Sequence, residues 1–404
     1  MWGDVMGKAS SRRSAQAVGR KNRRQRTGRF YYDYSLLAVI VLLTCFGLAM
    51  LYSSSFYVAT RDFENDMHYF VKQAIISGIC IIGAVGVSQF DYHILGNVTV
   101  ILYIASILLM CLVQTPLGVE ANGARRWIKL GPVQIQPAEV AKIAVILCMS
   151  YCIKMIGTKI VTLKASLFLL AVGGLQAAVA FLFTENLSTA IIIFGITFGM
   201  LFVAHPKIKP FLIFVLVVLV AGVVIIGLVY MLVDPVENEN FRLQRILVWL
   251  RPEKFAGKEG YQILQGLYAI GSGGLFGRGL GNSIQKLGTV PEAQNDMIFS
   301  IICEELGIIG GFIVLFMFVY LLFRLFVIAQ NAPDTIGMLL VSGVFIHIGL
   351  QVIMNIAVVT NLMPNTGVTL PFISYGGTSI VFLMSEMGLA LSVSNQIKLK
   401  DSVE

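Results

Sequence analysis

Phe211–Val233 reads FLIFVLVVLVAGVVIIGLVYMLV, twenty-three residues without a single charge. An apolar run of this length can cross the roughly 30 Å hydrocarbon core of a bilayer, where a helix satisfies its own backbone. Tyr34–Ser53, Phe70–Phe90, Val98–Val113 and Met338–Ile356 are similar runs. Composition agrees: 57% of the 404 residues are hydrophobic and 13% are charged, against roughly 25% charged in a soluble domain. The sequence therefore predicts an all-α polytopic membrane protein with about ten transmembrane helices. Their cores fall at 34–53, 70–90, 98–115, 136–153, 163–183, 186–204, 209–233, 297–326, 336–360 and 371–394. Only Thr184–Asn186 separates the fifth from the sixth, which predicts a tight helical hairpin.

The division that follows is a basic tail over 1–30, a membrane domain over 31–396 and a short tail over 397–404. A large outer loop, about 234–296, joins helices 7 and 8. The first thirty residues hold nine Lys and Arg against Asp4 alone. Such a tail can bind nucleic acid. Directly before a membrane helix it is better read as a cytoplasmic, lipid-attracted segment, so no nucleic-acid partner is expected. It is too long, and lacks the small-residue cleavage pattern, for a signal peptide. Alternation then puts Asp62, Glu64 and Asp66 outside. Lys154, Lys159, Lys164, Lys207, Lys209, Arg324, Lys398 and Lys400 fall inside, with both termini cytoplasmic. GARRWIKLG, Gly123–Gly131, dissents: it is basic yet falls outside, which marks it as a candidate anion binder.

All six cysteines lie in apolar segments and the four histidines are scattered, so no metal site is expected. The outer loop contains GYQILQGLYAIGSGGLFGRGLGNS, whose glycines permit tight turns and close approach. No GK[ST] follows, which excludes a phosphate-binding loop of the P-loop type.

Ionisable groups at the membrane boundary are functional candidates. In TVPEAQNDMIFSIICEELG, Thr289–Gly307, Asp296 stands where the outer loop enters an apolar helix. It could be a general base for a sugar hydroxyl, or a helix-capping acid; the residues alone leave both open. On a continuous helix Glu304 lies about 80° and Glu305 about 180° from Asp296. They cannot both join it, and one is expected to pair with a cation from another helix. In QPAEVAKIAV, Gln136–Val145, Glu139 and Lys142 share a helix face. That is a local ion pair, or Lys142 points at Asp296 or an anion. Arg125 and Arg126 flank Trp127, an aromatic suited to the interface. Their guanidinium forks suit a pyrophosphate, with Arg242 and Arg245 as weaker candidates. His347, Gln351 and Asn355 form a polar stripe, read as interhelical hydrogen bonding. LPFISYGGTS, Leu370–Ser379, opens the last span. Its Gly376–Gly377 pair could allow a break or a close helix contact. Glu386 has no assigned role.

These motifs resemble those of the SEDS proteins (shape, elongation, division and sporulation), the FtsW/RodA/SpoVE family. PEAQNDMIFSIICEELG is similar to their PEAHTDF…EELG signature, and GARRWIKLGPVQIQPAEVAK to GARRWI…QPSE…K. NTGVTLPFISYGGTS is similar to TGxxLPFxSYGGSS, and GYQILQGLYAIGSGGLFGRGLGNSIQKL also matches. The likeness runs from the first span to the last. GLGNSIQKL and TLPFISYGG look more like the division member than the elongation member.

The resemblance implies ten membrane helices and an inverting peptidoglycan glycosyltransferase. It would polymerise lipid II into β-1,4 glycan at the outer face of the bacterial plasma membrane, for septal wall synthesis. Its partners would be a class B penicillin-binding protein, other divisome membrane proteins and membrane lipids. The family's essential aspartate falls on Asp296 and its lysine and glutamate on Lys142 and Glu139. Gln136, Trp127, Glu304, Glu305, Ser374, Gly376 and Gly377 would be structural or accessory. No cofactor is required, although a divalent cation, Mg or Mn, could assist. Two features depart from the family pattern: Gln294-Asn295-Asp296-Met297 replaces HTDF, and Asn186 stands where an Asp is frequent. A lysine beside Asp296 would hold its carboxyl low and ionised. Two rivals are a lipid II flippase, with charges lining a path, and a scaffold for the penicillin-binding protein, in which Asp296 is dispensable.

Overall fold

The computed structural model describes residues 30–121, 124–131, 133–232, 241–257 and 260–398. The expected basic tail up to residue 29 and the last six residues lie outside these. The helices are α1 (Tyr34–Phe63), α2 (His68–Val87), α3 (Thr99–Leu112), α4 (Pro137–Ile156), α5 (Leu163–Phe183), α6 (Leu187–Ala204), α7 (Lys209–Leu232), α8 (Phe241–Leu250), α9 (Gly260–Gly273), α10 (Ile298–Gln330), α11 (Thr335–Val359) and α12 (Ser379–Asn395). Eight are long and apolar enough to cross a membrane, and α3 and α12 are shorter apolar helices. At 1.5 Å per residue these two measure about 21 and 26 Å, slightly short of a bilayer core.

The ends of the elements follow local chemistry. Asp33 caps α1 by accepting from the Leu36 amide at 2.9 Å. Asn186 caps α6 through the Thr189 amide at 3.1 Å, which closes the α5–α6 hairpin. Pro137 starts α4 and Gly157, at φ 53°, ends it. Strands β1 (Phe30–Tyr31) and β5 (Ile397–Lys398) pair antiparallel and bring the two chain ends together on one face of the bundle. Arg324 ties α10 to that face through Asp33 at 2.6 Å.

A small antiparallel sheet, β2 (Gly118–Ala121), β3 (Ala124–Leu130) and β4 (Val133–Ile135), covers the opposite end of α4. Helices α4, α6 and α11 pack on one another at the centre, with α10 against α11 and α1. Helix α7 stands apart: no residue of its most apolar window is buried. Its foot holds to α6 by Phe211 packing edge-on to Phe198 and Phe202.

Three details differ from the sequence expectation. The last helix starts at Ser379, not near 371, because the preceding segment is tied elsewhere by its backbone. Gly376 and Gly377 precede α12 and so mark a break rather than a close helix contact: a Cβ on Gly376 would meet the Ser379 Cβ at a tight 3.3 Å, and one on Gly377 would meet Ile76 at an ordinary 3.7 Å. Ala124–Leu130, within the basic segment, is a strand rather than a loop.

Candidate active site

Asp296 lies in a turn, two residues before α10. The N-cap is Met297, which makes no side-chain cap bond, so the capping role is not the one Asp296 fills. It follows that the helical-wheel angles to Glu304 and Glu305 do not apply. Asp296 is 8% exposed. Burial, then the nearby Glu292 carboxylate, pushes its carboxyl up to about 7, against the pull of its own and Met297's backbone N–H groups. Gln262 of α9 donates to its Oδ1 at 3.4 Å and is itself oriented by Asn365 at 2.8 Å. Asn295 donates to Glu292.

Lys142 does not reach Asp296. Its Nζ stands 2.8 Å from Glu139 and donates to Gln351 at 3.3 Å, and both charges are buried. The expectation that Lys142 holds Asp296 ionised is therefore corrected: the pair neutralises itself, and Asp296 is raised. What joins the two is α11. Gln351 grips Lys142 and the Thr369 carbonyl, at 3.1 Å. Four residues on, Asn355 donates to the carbonyls of Asp296 (2.8 Å) and Val368 (2.7 Å). The rise of an α-helix puts these grips about 6 Å apart on one face. His347, one turn below, meets Glu386 at 2.8 Å, so the stripe is interhelical at His347 and Gln351, Asn355 turns to loop carbonyls, and Glu386 has its partner.

The segment Leu370–Ser379 closes the site. Ser374 accepts from the Leu370 amide at 2.8 Å, and the Tyr375 amide donates to Gln294 at 2.9 Å. A narrow cleft runs between Thr369, Ser374, Gly376 and Ser379, and the Ser379 hydroxyl reaches Glu139 at 3.4 Å. Gln136 precedes α4, and its carbonyl accepts from the Glu139 amide at 3.0 Å.

The four candidate arginines separate. Neighbours on a strand face opposite ways. Arg125 is exposed and pairs with Glu120 at 3.8 Å, so it does not share a cradle with Arg126. Arg126 is half-buried, reaches the Glu185 carbonyl at 3.5 Å, and has a buried Nε without a hydrogen-bond partner. Burial and the guanidinium of Arg245 on α8 both push its pKa down. Two cations from separate elements thus lie near each other. Arg242 precedes Arg245 by three residues on α8. Trp127, also half-buried, pairs with Val119 across β2–β3.

Glu304 and Glu305 are fully buried in α10. Glu305 pairs with Lys286 at 2.8 Å and accepts from Ser53 of α1 at 2.6 Å. Glu304 accepts from Ser283 and from the Ile284 amide at 3.1 Å. The expected cation comes from the glycine-rich loop, not from another helix. Sequence reasoning gave no role to Gln262, Asn365, Lys286, Ser53 or Glu292. All five stood in stretches that drew notice, but their partners are brought in by tertiary contacts with no local spacing. Among the described residues no group of three or more His, Cys, Asp or Glu gathers into a metal site.

A many-helix membrane bundle in which one face of α11 grips both the backbone of a buried carboxylate and a buried Lys–Glu pair of α4 defines an integral membrane protein with a polar site at one end. The chain belongs to the FtsW/RodA/SpoVE family of cell cycle proteins, whose model matches residues 33–399. It is 37% identical to a probable peptidoglycan glycosyltransferase FtsW of Trichlorobacter lovleyi, over 91% of this chain and 94% of that protein. It is 36% identical to stage V sporulation protein E of Bacillus subtilis, over 90% of this chain and 96% of that one. Among solved structures it resembles a chain from a peptidoglycan synthase complex that coordinates polymerization and crosslinking. The TM-score is 0.73 at 25% identity, covering 90% of this chain and 97% of that one. It also resembles the rod shape determining protein RodA of Thermus thermophilus, with a TM-score of 0.63 at 26% identity over 91% and 98% of the two chains.

Proposed function

We propose that this protein is a peptidoglycan glycosyltransferase that polymerises lipid II into β-1,4 glycan at the outer face of the plasma membrane, releasing undecaprenyl pyrophosphate. The observation that carries the reading is Asp296: a buried carboxyl raised to about 7, in the turn where the loop after α9 enters α10. A general base works best with a pKa near the operating pH. Asp296 takes the proton of the acceptor sugar's 4-hydroxyl as that oxygen attacks the anomeric carbon of the donor. The C–O bond to the pyrophosphate breaks, and inversion follows from attack opposite the leaving group. Arg126 and Arg245 stabilise the negative charge that develops on the leaving pyrophosphate. The unpartnered Nε of Arg126 leaves a donor for an anion there. The Lys142–Glu139 pair fixes the floor of the site through Gln351. Glu292 and Asp296 offer the oxygen donors a divalent cation would use.

The names of the relatives support a septal role with a class B penicillin-binding protein and other divisome membrane proteins as partners. The basic residues between spans support cytoplasmic termini. A flippase needs charges along an open path, whereas the deep pair His347–Glu386 is buried and mutually bonded. The test is synthesis of glycan strands from purified lipid II, with the partner's crosslinking site blocked. Polymer supports the reading. Transfer of lipid II across vesicles without polymer would favour the flippase.

A further inference from the structure

We infer that Lys286 and Glu305 act as a positioning pair for Asp296, closing the base of the loop that carries it. The inference rests on the proposed role of Asp296 as base. Helix α10 is broken at Gly307, with φ 73° and ψ −174°. The chain just after α9 is spliced into the break. The Arg278 and Gly279 amides donate to the carbonyls of Glu304 (3.0 Å) and Glu305 (2.9 Å). In return the Ile308 and Ile309 amides donate to Gly274 (2.9 Å) and Leu275 (3.3 Å). The splice requires glycine: a Cβ on Gly273, Gly277 or Gly307 would overlap the carbonyls of Cys303, Glu305 or Leu275, and the last two glycines have positive φ.

The two carboxylates just above the break face back into the loop. Glu304 holds Ser283 and the Ile284 and Gln285 amides. Glu305 holds Lys286, and Ser53 bonds both partners, accepting from Lys286 at 2.8 Å. Residues 287–303 therefore form a loop and half-helix closed at the base, with Asp296 on the far side. The carboxylate itself has one side-chain bond, the 3.4 Å contact from Gln262. Its placement is thus set by the chain that carries it, which is held near Asp296 by Asn355 and by the Tyr375 amide on the Gln294 carbonyl, and at its base by Lys286–Glu305. The comparable pair Arg324–Asp33 joins helix ends on the far face and encloses no such segment.

Lys286→Met/Glu305→Gln removes both charges together, so that no unpaired charge remains buried. The probe is a membrane-impermeant maleimide applied to Asp296→Cys, corrected for labelling of the native cysteines. The double variant is expected to raise the labelling rate at position 296 by about fivefold or more, because local opening exposes it. In the Asp296 background kcat is expected to fall about tenfold with KM within about twofold, as for an interaction expressed only in the transition state. Unchanged labelling overturns the inference whatever the activity. Faster labelling with unchanged kcat keeps the pinning and overturns Asp296 as the base. If the double variant does not accumulate in membranes, Ser53→Ala loosens the same pair, and labelling equal to the parent again overturns the inference.

Discussion

Asp296→Asn should stabilise the protein while stopping it from working, and the stabilisation should depend on pH. The carboxyl has an ordinary value of 3.8 and is raised to about 7 in the fold. Between those values the folded state binds a proton that the unfolded chain has released, so stability falls as pH rises through that window. At 1.36 kcal/mol per tenfold change, keeping this carboxyl buried costs about 4 kcal/mol at pH 8, where it is ionised, and about 2 kcal/mol at pH 5, where it must take up a proton. These are upper limits, since local relaxation lowers them. Asn keeps the shape and never ionises. Its own packing offset is constant with pH and cancels in the difference. The melting temperature of the variant minus that of the parent, in one detergent, should therefore grow by a few degrees from pH 5 to pH 8. It should flatten above about 7. A difference that is the same at both pH values would show that Asp296 is not a raised, buried carboxyl, and the argument for it as a base would lose its physical ground.

Three further outcomes follow from the geometry. If Asp296 must be ionised, only about a tenth of it is so at pH 6, and glycan synthesis should drop about tenfold there from its plateau. Glu292→Gln should move that acid limb to lower pH, and so should a divalent cation bound beside Asp296; titrating the rate with and without Mg tells the two apart from an effect on folding. Lys142→Met leaves Glu139 buried and unpaired, which should cost about 3–5 kcal/mol in thermal stability, whereas Glu139→Gln/Lys142→Met should recover most of it. Gly307→Ala forces a Cβ against the Leu275 carbonyl at positive φ, and should lower stability by about 1–3 kcal/mol or more, read as a shift in melting temperature.

Much of the architecture was legible because bilayer length and charge asymmetry act locally. The runs at Phe70, Leu163 and Phe211 each became a helix at nearly the expected bounds, while the one at Tyr34 runs on to Phe63, ten residues past its expected end. The stripe His347, Gln351 and Asn355 was read as interhelical bonding, which holds for His347 with Glu386 and Gln351 with Lys142, while Asn355 bonds turn and loop carbonyls. The break in α10 was not legible, since the apolar periodicity of CEELGIIGG passes through Gly307 without interruption. It is dictated by a loop some thirty residues earlier that supplies the missing backbone partners. For the same reason Glu304 and Glu305 found their partners at Ser283 and Lys286, and Asp296 lay outside the helix on which its angles were counted. Arg125 and Arg126 read alike in sequence, but a strand sends them to different surroundings, while Arg245, ranked lower, comes in beside Arg126.

The most direct measurement is glycan-strand synthesis from purified lipid II by the parent and Asp296→Asn. Both would be assayed with the partner penicillin-binding protein blocked at its crosslinking site, and matched for folding and partner binding. The account predicts polymer from the parent and a loss of at least about 100-fold in the variant, the scale of a missing general base. Equal polymer from both would contradict it, and would place the base elsewhere in the site.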